Sequence, residues 1–105
     1  MNVYEIGDRV RVQTDTPFQN VAGTALDPDT VTFEIKAPAV ATSQYVYDQD
    51  GSQDAAITRL ATGDYAIDVD AATAGRWYYY VVGEDDDGTF RGAHQGVFGV
   101  RHKAT

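Results

Sequence analysis

Hydrophobic residues recur at every second position within short segments of this chain, and that period limits the fold more than any other feature. The alternation is clearest in DRVRVQTD (8–15), VTFEIK (31–36) and DYAIDVD (64–70). An extended strand turns successive side chains to opposite faces, so each segment has one apolar and one polar face. The period predicts half-buried β-strands rather than helices.

Further strands follow from weaker patterns, and turn residues separate them. Asp87-Gly88 lies between two extended segments and predicts a hairpin, and Pro38 ends the second strand because proline cannot donate to a sheet ladder. With turns every 8–12 residues or so, we expect about seven or eight short strands in an antiparallel β-sandwich, while a small barrel stays open as an alternative. The additional strands are expected at 43–48, 55–60, 76–82 and 96–101.

Two aromatic residues support a sandwich. Leu60, Gly63 and Tyr65 have the spacing of a tyrosine corner, in which the tyrosine hydroxyl bonds to backbone a few residues upstream. Trp77 is expected to be the largest single contribution to the core, because burying an aromatic of this size removes on the order of 150–250 Å² from water.

Composition restricts the class of protein further. The chain has 105 residues, a net charge of −8 and no cysteine, which fits one domain at 1–101 with a mobile basic tail at 102–105. The acidic charge disfavours nucleic acid. No segment resembles a signal peptide or approaches the roughly 20 apolar residues of a membrane helix, so we expect synthesis in the cytoplasm and no membrane partner.

Two acidic segments are candidate metal sites. Asp48, Asp50 and Asp54 surround Gly51, an arrangement compatible either with a calcium loop or with a solvated turn. The segment lacks the bidentate glutamate of an EF-hand loop, so we favour the turn. Residues 84–88 are expected to form a charged, solvent-facing hairpin loop. We predict no metal and no cofactor.

The side chains that catalysis requires are sparse. His102 lies in the tail, and His94 is expected in a glycine-flanked loop. Ser43 and Ser52 occupy polar stretches with no adjacent base. No phosphate-binding glycine motif is present. We therefore expect no enzymatic activity and no catalytic residues.

The segment RWYYYVV (76–82) is apolar on both faces and is expected to be a central strand. Trp77 and Tyr79 fall on one face, and Tyr78 and Tyr80 on the other. One pair is expected to face the core. The other pair can stabilise the sheet or contact a partner. We take Tyr78 and Tyr80 as the candidate partner-contact residues.

With these segments laid out, the chain resembles the small immunoglobulin-like (Ig-like) proteins encoded among the head and tail genes of tailed bacteriophages. It departs from their pattern in AHQGVFGV (93–100), where a glutamate often precedes the final Phe-x-Val. The matching segments are DPDTVTFEIKAP (27–38), YVYDQD (45–50), ITRLATGDYAIDV (57–69), AGRWYYYVVG (74–83) and GVFGV (96–100).

The resemblance implies an Ig-like fold and a non-enzymatic structural role in the virion, on the capsid, neck or tail. The expected partners are other virion proteins. We expect contact through the outer face of strand 76–83 and through edge strands near 8–15 and 96–101. Two alternatives remain: a module that binds carbohydrate or adheres to a host-surface glycan, and a domain of a bacterial surface or secreted protein.

Overall fold

The computed structural model describes residues 2–14 and 16–102, which form two β-sheets. The larger sheet has the order β1-β8-β7-β3-β4, and the smaller has the order β2-β6-β5. Every strand pair is antiparallel except β1–β8, which is parallel. The predicted sandwich is confirmed. The strands are β1 (Asn2–Glu5), β2 (Arg9–Gln13), β3 (Thr30–Lys36), β4 (Ser43–Asp48), β5 (Ile57–Ala61), β6 (Asp64–Asp70), β7 (Gly75–Glu84) and β8 (Arg91–Arg101).

The core lies between the sheets and contains the apolar positions of the alternating segments. Trp77 is 6% exposed and stacks on Phe98 with ring centroids 5.6 Å apart, so its predicted place in the core is confirmed. Removing these faces from water is the main stabilising contribution in a domain of this size. The buried hydrophobic residues are Val10, Val12, Phe18, Val31, Phe33, Ile35, Ile57, Tyr65, Ala66, Ile67, Ala71, Trp77, Val81, Phe98 and Val100.

Two strand predictions differ from the structure. β1 was not predicted, and β8 begins at Arg91 rather than at residue 96. Glycine and alanine have low strand propensity, so residues 91–96 gave a weak signal, yet the ladder with β7 extends along them. The edge assignment is confirmed for β2. It is wrong for 96–101, because β8 lies between β1 and β7.

Tyr65 does not form the predicted tyrosine corner. Its hydroxyl donates to Asp27 Oδ1 at 2.7 Å and accepts from Gln49 Nε2 at 2.6 Å, and neither partner is backbone. Burial, reinforced by the hydrogen bond to Asp27, raises the pKa of Tyr65 far above its usual value. The hydroxyl still joins distant segments, but it does so through side chains of the β2–β3 connection and the 49–56 loop.

The end of the chain was predicted to be a mobile tail at 102–105. Only His102 of this tail lies within the described residues, and it is exposed.

Residues 2–14 and 16–102 contain no helix that is long and apolar enough to span a membrane.

Candidate interaction surface

The central strand β7 has a buried face and an exposed face. Trp77 and Val81 are buried between the sheets, and Tyr79 packs against the core. Tyr78 is 51% exposed on the opposite face, and Tyr80 is half-buried. The predicted division of the aromatic residues between the two faces is confirmed. The outer face of the larger sheet is thus the surface on which both candidate contact residues lie.

Strand register fixes the neighbours of these two tyrosines. Tyr78 lies between Lys36 of β3 and Val97 of β8. Tyr80 lies between Glu34 and Gln95 on the same strands. Cross-strand neighbours have Cβ atoms about 5 Å apart, so each tyrosine has one charged neighbour and one neighbour without charge.

Exposed apolar side chains are concentrated on this outer face. Seven large hydrophobic residues are exposed in the described chain, and four of them lie here because they alternate with residues that pack in or against the core. Scattered exposed apolar residues are normal, whereas a group on one sheet face marks an interaction site. We call this group the outer-sheet patch: Val3, Val46, Tyr78 and Val97.

A shallow groove of about 490 Å³ runs along the same face. Tyr78, Tyr80 and Val97 contribute its apolar wall. Glu34 and Gln95 contribute polar atoms. The groove therefore offers an aromatic ring beside hydrogen-bonding groups, which suits a flat partner surface or a sugar ring.

The two candidate tyrosines are not equivalent. The Tyr80 hydroxyl accepts a hydrogen bond from Arg91 Nη2 at 3.2 Å, and Arg91 lies 3.8 Å from the carboxylate of Glu84. Tyr78 is the more exposed of the two. A partner gains more contact area from Tyr78, whereas Tyr80 is held in place by its own sheet.

The acidic loops lie close together, and their carboxylates bond to their own chain. Asp48 Oδ1 accepts from the Asp50 amide and Asp54 Oδ1 from the Ala56 amide, both at 3.0 Å. Asp29 joins the loops, since its carbonyl accepts from the Gln49 amide at 2.9 Å and its carboxylate accepts from the Asp86 amide at 2.9 Å. Within the described ranges, no three acidic or histidine side chains are placed to hold a metal ion.

Burial raises the pKa of Asp86, and the charges of Asp29, Asp48, Asp50 and Asp85 raise it further. The loops at 48–54 and 84–88 are far apart in the sequence. They meet because β4 and β7 flank β3, so the end of β4 lies beside the end of β7.

His94 is not in a loop, contrary to expectation. It lies within β8 opposite Val81 and packs on Phe18 with ring centroids 5.4 Å apart. Strand pairing with β7 overrides the two flanking glycines. His102 is exposed beyond the end of β8. Ser43 begins β4, and the backbone carbonyl of Ser52 accepts from the Asp48 amide.

Comparisons with known proteins show the fold. No protein-family model and no curated protein matches the chain. A solved structure from Bacteroides vulgatus, described as a "putative glycoside hydrolase", matches 99% of this chain and 17% of its own, with a TM-score of 0.52 and 17% identity. The extracellular portion of mouse CD200RLa matches 97% of this chain and 54% of its own, with a TM-score of 0.50 and 14% identity.

These matches and the two-sheet topology define an Ig-like β-sandwich, as predicted. The chain spans about a sixth and about half of the lengths of the two solved structures. Identities this low show the fold alone.

The sequence had indicated Tyr78 and Tyr80 but not Val3, Val46 and Val97. These valines lie on three other strands, and only the register between strands brings them to one face. For Val97 the sequence does contain an indication of exposure. Val97 precedes the buried Phe98 in β8, and successive side chains of a strand point to opposite faces, so Val97 faces outward.

Proposed function

We propose that this chain is a non-enzymatic virion structural protein of a tailed bacteriophage. It is an Ig-like module that decorates or stabilises the capsid or the head–tail region through protein–protein contacts. The outer-sheet patch carries the proposal, because a sandwich needs only its inner faces to be apolar and the patch serves no packing within the domain. The resemblance in residues 27–100 supplies the virion context.

The contact would centre on Tyr78. Its ring is half exposed between Lys36 and Val97, so a partner covering it removes aromatic and aliphatic surface from water together. Tyrosine is enriched among the residues that dominate binding energy in interfaces, and truncating such a residue typically costs about 2 kcal/mol or more. The flanking Lys36 and Glu34 give the polar rim that such interfaces have.

The test is incorporation into particles. Particles are assembled with the wild-type chain or with Tyr78→Ala combined with Tyr80→Ala, then purified, and the amount of chain per particle is measured by mass spectrometry. We expect the double variant to fall at least tenfold at limiting protein, in keeping with a loss of about 2 kcal/mol.

The matched control is Leu60→Ala. Leu60 is 41% exposed but lies on β5 of the smaller sheet. It is expected to incorporate like wild type. Equal incorporation of the double variant would refute the contact assignment, and absence of the wild-type chain from purified particles would refute the virion role.

A second candidate is binding to a host-surface glycan. The groove favours it, because Tyr78 offers a ring face with Glu34 and Gln95 alongside as hydrogen-bonding groups. Wild type and Tyr78→Ala are compared on a glycan array. Signal from wild type that is lost in the variant would support this candidate, and an array without signal would remove it.

A further inference from the structure

We propose that the free edge of β2 accepts an extended strand from another polypeptide, with apolar residues at alternate positions and acidic residues between them. This surface is separate from the outer-sheet patch. Three observations carry the proposal: unpaired backbone groups along β2, a groove beside them between the sheets, and two exposed arginines on this strand of an acidic protein.

Within residues 2–14 and 16–102, the backbone of β2 is paired on one side only. The Thr14 amide donates to the Tyr65 carbonyl at 3.1 Å, and the Ala71 amide donates to the Asp8 carbonyl at 2.9 Å. In an antiparallel ladder hydrogen-bonded pairs occur at every second residue, so Val10 and Val12 also bond towards β6. The amides and carbonyls of Arg9, Arg11 and Gln13 therefore point away from β6, and β2 has no second neighbour in the part of the chain described.

A groove of about 360 Å³ lies alongside this edge, where the smaller sheet stops and the larger one continues. Val10 and Val12 line it from β2, and Phe98 and Tyr79 line it from the larger sheet. Val10, Val12 and Phe98 are almost fully buried at its floor, so most of the groove surface that a partner would meet is polar. A strand added to β2 would direct alternate side chains into this groove in continuation of the Val10 and Val12 rows.

The other side chains of the added strand would lie beside Arg9 and Arg11. The side chains of Arg9 and Arg11 are 70% and 50% exposed. Among the described residues, Arg11 donates to Asp68 through Nε and Nη2, and Arg9 Nη1 lies 3.6 Å from Asp70 Oδ1. A guanidinium has five donors, so each arginine can bind a second carboxylate.

β6 shows which partner pattern suits β2. It places Ile67 opposite Val12 and Asp68 opposite Arg11, which is an apolar–acidic alternation on the occupied side of β2. The same alternation would fit the free side. A second copy of β2 paired antiparallel about Arg11 would place that arginine against its own copy and would lack the acidic residues of this pattern.

The probe is a blocked heptapeptide of alternating aspartate and valine, titrated into the 15N-labelled full chain. In the free protein we expect the amides of Val10 and Val12 to exchange slowly with solvent and those of Arg9, Arg11 and Gln13 to exchange fast. On binding, the amides of Arg9, Arg11 and Gln13 should become protected. A peptide of alternating lysine and valine is the charge control and should not bind.

Two variants of one residue separate backbone pairing from charge. Arg11→Pro removes an amide that points away from β6, a position where proline is tolerated in an edge strand, and it should weaken peptide binding at least tenfold. Arg11→Gln keeps the amide and loses the charge, so it should weaken binding only about two- to fivefold. Retained β6 amide signals would show that each variant is folded.

The proposal fails if neither peptide protects the Arg9, Arg11 and Gln13 amides, in which case the arginines only keep the edge from pairing. It also fails if the lysine peptide binds as well as the aspartate peptide. Tyr78→Ala should bind the peptide like wild type, so this result is independent of the outer-sheet patch.

Discussion

At the scale of single residues, Gly63 combines a left-handed backbone with close backbone neighbours. It has φ +75°, its amide donates to Asp27 Oδ1 at 2.8 Å, and its carbonyl accepts from the Phe18 amide at 2.9 Å. A Cβ placed there would lie 2.7 Å from the Phe18 carbonyl oxygen and 2.8 Å from that of Leu26. Because these neighbours are backbone atoms, no side-chain rotation can relieve the overlap.

Gly63→Ala is expected to destabilise the domain by about 3 kcal/mol or more, from the left-handed backbone and the overlap together. Urea unfolding followed by tryptophan fluorescence measures the change. Gly88→Ala is the matched control, since Gly88 has φ +77° and no atom within 4 Å of the added Cβ. It should cost only about 1 kcal/mol. Equal losses in the two variants would contradict this account.

At the scale of elements, Asp27 fastens the β2–β3 connection to the β5–β6 hairpin. Its carboxylate accepts from Arg59 Nη2 at 2.9 Å, from the Tyr65 hydroxyl and from the Gly63 amide. Burial raises the pKa of Asp27, but the hydrogen bonds from Arg59, Gly63 and Tyr65 outweigh burial and hold the pKa below its usual value. The ionised carboxylate is thus the form that stabilises the fold.

This sign gives a pH prediction. A carboxyl whose pKa is lower in the folded state stabilises the protein above its unfolded pKa of about 4, and that contribution is lost as pH falls through the folded value. Asp27→Asn should therefore cost about 2 kcal/mol at pH 7. The difference from wild type should shrink below about pH 3. Urea unfolding at both pH values tests this, and a difference that does not depend on pH would contradict it.

Tyr65→Phe provides a partial variant for the same network. It removes one donor to Asp27 and leaves the Arg59 pair, so it should cost about 1 kcal/mol at pH 7. A loss equal to that of Asp27→Asn would assign the effect to the hydroxyl rather than to the carboxylate.

The elements that were predictable from the sequence are those with strong internal alternation. β3 buries Val31, Phe33 and Ile35 between partly exposed residues, and this pattern needs no knowledge of neighbours. β1 has four residues and is defined by its partner β8, so its own sequence carries little signal. The partners of Asp27 lie 32 to 38 residues away, and alternation says nothing about contacts at that separation.

The candidate site, like the fold, was predictable only where the pattern within one strand decides the outcome. The division of Tyr78 and Tyr80 from Trp77 follows from the strand period alone. The grouping of Val46 and Val97 with Tyr78 depends on which strands are neighbours, and that order is set by the packing of the whole sandwich.

At the scale of the whole molecule, negative charge is concentrated where the loops at 48–54 and 84–88 meet. Burial and the surrounding carboxylates raise the pKa of Asp86, whereas hydrogen bonds from the amide and hydroxyl of Thr89 lower the pKa of Asp87. A raised pKa in the folded state means that stability is lost as pH rises through that value. At neutral pH the charge of Asp86 opposes folding, and the charge of Asp87 favours it.

Two adjacent substitutions are therefore expected to act in opposite directions. Asp86→Asn should raise the melting temperature at pH 7 and low ionic strength, and the gain should shrink in 0.5 M salt because salt screens exposed charges. Asp87→Asn removes the same charge but weakens the bonds to Thr89, so it should not raise the melting temperature. Thermal unfolding by circular dichroism measures both, and equal gains would show that net charge alone matters.

The parallel pairing of β1 with β8 has a consequence for how the chain acquires its structure. Among the strands that the structure describes, β1 pairs with β8 alone, with Asn2 opposite Phe98 and Glu5 opposite Arg101. Tyr4 therefore has no partner strand until β8 is available. The larger sheet is completed by a pairing between segments far apart in the sequence, and topologies with such non-local pairings fold at the slow end of the times known for small domains.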